Sequence, residues 1–168
     1  MFDATTVLCL SICALCGALV LGATAASAQT TQTLTINATV ASRAELTLTP
    51  TTISFPDADP TATPSIPANT TVSVTAKVRS SGTPTLKVLA NGDLASGGDS
   101  IAIGNVTWTA SGGPFIAGTM NKTTSQDAAT FSAGSGSFSG TFTYKLANSW
   151  NYAVGSYAQT ATYTLTAP

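Results

Sequence analysis

The sequence predicts an all-β protein, an antiparallel sandwich of about seven or eight strands behind a helical leader. Three observations carry this. Apolar residues alternate with Thr, Ser or Asn over most of the chain after Gln29; clusters of Gly and Pro interrupt the alternation at short intervals; and no stretch sustains a 3.6-residue period. Alternation puts successive side chains on opposite faces, one facing a core and one facing water. Only 8% of the 168 residues are charged, which suits short strands and turns better than salt-bridged helices.

The leader comes first. From Val7 to Leu21 the chain is nearly all apolar and then becomes Gly22-Ala23-Thr24-Ala25-Ala26-Ser27-Ala28-Gln29. Ala26-x-Ala28 fits a signal-peptidase site, so residues 1–28 read as a secretory signal peptide and 29–168 as one exported domain. The n-region lacks Lys and Arg and carries Asp3. A retained anchor is the alternative, because Val7 to Ala26 is just long enough to cross a bilayer; after cleavage no stable membrane insertion is expected. Lipidation fits poorly, because neither Cys13 nor Cys16 follows a small residue at the position lipoproteins require. All three cysteines, Cys9, Cys13 and Cys16, precede Ala28, so the exported part carries no disulfide. A domain of this size can be held by its core alone.

The strands follow in order. Leu34-x-Ile36-x-Ala38-x-Val40 alternates cleanly, as do Leu46-x-Leu48, Val72-x-Val74-x-Ala76-x-Val78 and Leu86-x-Val88. Ile101-x-Ile103 and Val106-x-Trp108 are out of phase across Gly104, a spacing that predicts a bulge at the glycine. Phe138-x-Gly140-x-Phe142-x-Tyr144-x-Leu146 and Tyr157-x-Gln159-x-Ala161-x-Tyr163-x-Leu165 close the set. Between them lie Pro56 to Pro67, Ser81-Gly82-Thr83-Pro84, Asn91-Gly92-Asp93, Ser111-Gly112-Gly113-Pro114 and Gly134-Ser135-Gly136, all turn compositions. An immunoglobulin-like sandwich accommodates such a series.

Chemistry is sparse. The chain has no His and the exported part no Cys, so the commonest general base and the best nucleophile are both missing. Lys77, Lys87 and Lys145 fall at polar phases, where solvation outweighs a Ser–Lys dyad. No enzyme and no cofactor is expected. Asp57-x-Asp59 and the pair Asp93 and Asp99 are weak calcium candidates, since calcium needs six to eight oxygens; both also suit turns. Trp150-Asn151-Tyr152 offers aromatic faces that could stack on a sugar, or plug the end of the sandwich. Trp108, in phase with Val106, reads as core. The sequons at Asn37, Asn69, Asn105 and Asn121 fit a Thr-rich composition. A formal net charge of −1 without clustered positive charge makes nucleic acid an unexpected partner.

Three segments in order resemble the archaic chaperone-usher pilin domain, also called the spore coat protein U domain. They are Ile36 to Phe55, Val72 to Gly92 with its Gly82-Thr83-Pro84 turn, and Gly155-Ser156-Tyr157 with the strand that follows. Ala44 and Ala76 stand where that family has paired cysteines. The resemblance implies a sandwich lacking one strand, completed by the N-terminal extension of the next subunit through strand addition. The donor here is then within residues 29–41, with Leu34, Ile36, Ala38 and Val40 facing the groove. The alternative is that the same segment pairs within its own chain as an ordinary first strand. A second resemblance, of Tyr163-Thr164-Leu165 and Trp108-Thr109-Ala110 to the paired Trp-x-Leu motifs of the WxL domain, implies binding of cell-wall or other carbohydrate material; one motif has Tyr for Trp and the other Ala for Leu. The expectation is a secreted, cell-surface or periplasmic structural protein whose partner is itself or cell-envelope material; the alternatives are a cell-wall or carbohydrate-binding surface module and a stand-alone secreted β-sandwich.

Overall fold

The computed structural model describes residues 29–168; the expected signal peptide lies outside them. Residues Thr39–Pro168 form the compact sandwich unit. It contains β1 (Arg43–Thr49), β2 (Ser65–Pro67), β3 (Val72–Arg79), β4 (Thr85–Ala90), β5 (Leu94–Ser96), β6 (Asp99–Ile101), β7 (Val106–Ser111), β8 (Gly118–Thr119), β9 (Gln126–Thr130), β10 (Gly136–Ala147) and β11 (Ala161–Thr166). The larger sheet runs β1-β3-β10-β7-β8, with β2 beside the C-terminal part of β10; the second runs β11-β4-β9; β5 and β6 form a separate hairpin. Every pairing is antiparallel.

The alternation read from the sequence is what builds the core. On β3, Val72, Val74, Ala76 and Val78 are buried while Ser73, Lys77 and Arg79 are exposed. Facing them from the second sheet are Leu86, Val88 and Ala90 of β4. Trp108 and Phe142 fill the middle, edge to face with centroids 6.5 Å apart, and Trp108 Nε1 donates to the Ile116 carbonyl at 2.8 Å. A buried indole therefore keeps its hydrogen bond while its ring serves as core.

Two local expectations change. Gly104 marks a break rather than a bulge: Ile103–Asn105 is a 3-10 turn, so Ile101 ends the β5–β6 hairpin and Val106 starts a strand of the larger sheet. Asp93 Oδ1 fixes that turn by accepting from the Ile103 N–H at 3.0 Å. The last alternating run is also split, with an isolated bridge of Ala158 to Ala95 ahead of β11.

The order β1-β3-β10-β7 in one sheet and β11-β4 in the other matches strands A, B, E, D and F, C of the immunoglobulin arrangement. A seventh strand, G, would lie on the free edge of β11. Among the described residues none occupies it.

Candidate functional site: an open sandwich edge

The unpaired edge has a consequence for burial. Inward residues of the central strands β3 and β4 are fully buried, yet their counterparts Leu46 and Leu48 on β1, and Tyr163 and Leu165 on β11, are only half-buried. Both strands are sheet edges on the same side, so the core is uncovered between them. At one end the gap is closed: Ser42 Oγ and Ser80 Oγ donate to the Pro168 backbone oxygen at 3.2 and 2.5 Å. Toward the other end it widens into a cleft of about 1480 Å³ that Leu48, Ile53 and Phe55 line from the β1 side and Tyr157 and Tyr163 from the β11 side. Val72, Val106, Tyr144 and Leu146, all buried core residues, also line it. A cleft that reaches the core itself leaves apolar surface in water, a feature that marks binding surfaces.

One polar contact ties the sheets together beside this cleft. Tyr144 of β10 and Tyr163 of β11 hydrogen-bond through their hydroxyls, and the Tyr163 ring stacks on Phe142 with centroids 5.9 Å apart. Burial pushes both phenols above the usual tyrosine range, because the charged phenolate would lose its hydration.

Residues 29–42 form no strand and are exposed throughout. Leu34, Ile36 and Val40 are 81%, 82% and 67% exposed, and Ala38 is exposed as well. The first strand of the larger sheet, β1, begins at Arg43 opposite Arg79 and takes the edge of β3.

The aromatic pair divides. Tyr152 is half-buried against the core with its hydroxyl donating to the Ala147 carbonyl at 2.9 Å, so it plugs the sandwich. Trp150 is 73% exposed, and its Nε1 donates to Thr61 Oγ1 at 3.2 Å. Both line the cleft.

The carboxylates are engaged in local structure. Asp59 Oδ1 accepts from the Thr61 N–H at 2.8 Å, an Asx turn, and Asp57 lies beside it on the cleft wall. Asp93 pairs with Lys122, whose hydrogen bond, with that of the Ile103 amide, holds the carboxyl below the ordinary carboxylate range. Asp99 begins β6 and is exposed. The described residues contain no group of three or more His, Cys, Asp or Glu placed to hold a metal ion. Lys77 and Lys87 pair with Glu45 and Asp127 at 2.9 and 2.5 Å, exposed contacts of small energetic weight.

Comparison with protein-family models, curated proteins and solved structures finds no match to this chain.

Proposed function

We propose that this chain is a non-enzymatic structural subunit, exported to the cell surface or periplasm, that assembles by strand addition as the pilin resemblance implies. One observation carries the reading: a sandwich whose β11 edge is vacant among the described residues, with its core uncovered there, belongs to a chain that also carries a segment, residues 33–40, whose sequence alternates like a strand. The two are complementary in chemistry. An added strand would satisfy the free backbone groups of β11 and place Leu34, Ile36, Ala38 and Val40 against the exposed core. Burying each of the larger aliphatics is worth about 1.5 to 3 kcal/mol, and a ladder of backbone bonds adds register.

The alanines that replace the family's cysteines support the same alignment. Ala44 pairs with Val78 and Ala76 with Leu46, so the two alanines are diagonal neighbours on one face of β1 and β3. Adjacent strands are where a cross-link between those positions would have to run.

A synthetic peptide of residues 33–40 tests the acceptor directly. Added to the variant lacking residues 29–41, it should bind saturably and raise Tm, as any ligand of the folded state does. The Ile36→Asp peptide should do neither, and equal effects of the two peptides, or none from either, would reject strand addition.

A further inference from the structure

The wide end of the cleft is built differently from the strand edges. Its floor is one inward-facing row of the larger sheet: Ile66 of β2 and Val106 of β7 both stand opposite Leu146 of β10. Met120 continues the row, its N–H donating to the Val106 carbonyl at 2.9 Å. All four are buried core residues that also line the cleft. The walls are two loops, residues 50–64 after β1 and residues 148–160 before β11, so they lie beyond the ends of both edge strands.

These walls are braced against each other. Asn148 Nδ2 donates to the Ala58 and Thr63 carbonyls at 2.9 and 3.0 Å, which fastens one loop to the other. Ala158 exchanges both backbone bonds with Ala95 of β5 at 3.1 Å. One run of contacts then sets an aromatic face beside a carboxylate. Trp150 Nε1 donates to Thr61 Oγ1 at 3.2 Å, and the Thr61 N–H donates to Asp59 Oδ1 at 2.8 Å. The indole stays largely exposed, and Asp57 is on the same loop as Asp59.

Charge decides what such a site holds. Asp57 and Asp59 line the cleft, and no Lys or Arg lines it with them. Glu45, Asp93 and Asp127 each pair with a lysine, whereas among the described residues neither Asp57 nor Asp59 has a cationic partner. A concave site carrying one sign of charge concentrates the opposite sign, and an indole face attracts a cation through its quadrupole.

We propose that this end of the cleft binds a small amphiphile with an apolar body and a single positively charged head, a long-chain amine or quaternary ammonium. The body lies on the Ile66–Leu146–Val106 row, and the head sits between the Trp150 indole and the two carboxylates. An apolar cavity with a few placed polar groups is the usual construction of a small-molecule site. A head that also carries phosphate, as in a zwitterionic lipid, would bring an anion against Asp57 and Asp59, so the ligand is a free cation and not a bilayer. A sugar fits less well, because the aliphatic floor offers its hydroxyls no side-chain partner. The site belongs to the Thr39–Pro168 unit alone and stands whether or not strands are added at β11.

Ligands that differ only in their heads test this. The full exported chain is titrated calorimetrically with decyltrimethylammonium, decylphosphocholine and decanoate, each below its micelle concentration. Decyltrimethylammonium should occupy one site per chain, bind about tenfold or more tightly than decanoate, and shift Trp150 fluorescence to the blue, with decylphosphocholine between the two. Asp57→Asn combined with Asp59→Asn, which keeps the loop's Asx turn because Asn makes the same bond, should bring the cation down to about the affinity of decanoate. Trp150→Ala should weaken the cation roughly tenfold and decanoate little. Equal affinities for cation and anion in the wild type, binding of neither, or a cation preference that survives the double variant would each overturn the proposal. A chain that sediments as a monomer fails the strand-addition reading and leaves the titration as it stands.

Discussion

Gly140 shows how closely two backbones approach inside the larger sheet. It lies on β10 at the end of β7, and a Cβ there would fall 2.5 Å from the Ser111 carbonyl oxygen, 2.6 Å from Phe115 Cδ2 and 2.9 Å from the Gly112 oxygen. Two of those neighbours are backbone, which cannot swing aside. Gly140→Ala should therefore lower stability by about 1 to 3 kcal/mol, the usual cost of overpacking, read as a lower urea midpoint at unchanged m-value; an unchanged midpoint would show that β7 yields easily. The sequence signals Gly140 only as an interruption in the Phe138-to-Leu146 alternation, and the partner it makes room for is visible only in the fold.

At the scale of elements, β10 and β11 belong to different sheets and meet through the Tyr144–Tyr163 hydroxyl contact. Both phenols have raised pKa values, so the folded state holds their protons more tightly than the unfolded chain, whose tyrosines titrate near pH ~10. Their contribution is complete below that pH and is lost as pH rises from there toward the folded values. Alkaline denaturation should set in above about pH 10. Tyr163→Phe should cost about 1 to 3 kcal/mol at neutral pH by leaving the Tyr144 hydroxyl unpaired, and should flatten the alkaline slope; a slope identical to wild type would dissociate the pair from the pH effect.

The element scale also separates what the sequence shows from what it hides. Strands β3, β4 and β10 are legible because their inward residues alternate strictly. Gln126–Thr130, β9, is not, because Ala128 and Ala129 are both buried at a register shift against Leu86 and Lys87. A bulge of this kind breaks the period that identifies a strand. The switch at Gly104 was legible as a change of phase, but a phase change alone does not distinguish a bulge from a chain moving between sheets.

For the molecule as a whole, the central feature is an immunoglobulin-like order with the G position unfilled among the described residues. The apolar alternation of Leu34 to Val40 announces a strand, and the sequence alone left its partner open. The cleft was beyond reach of sequence, because Leu48, Ile53, Phe55, Tyr157 and Tyr163 converge from segments far apart in the chain. Trp150 and Tyr152, adjacent in sequence, part company for a related reason: the loop between β10 and β11 turns one toward the core and leaves the other in water.

The assembly state with and without the N-terminal segment tests the account most directly. Sedimentation and electron microscopy of the exported chain should show fibres that grow with concentration. The variant lacking residues 29–41 should be a monomer that still unfolds cooperatively, because the buried core is built from residues of the Thr39–Pro168 unit. An intact chain that stays monomeric, paired with a deletion that unfolds the domain, would contradict the account.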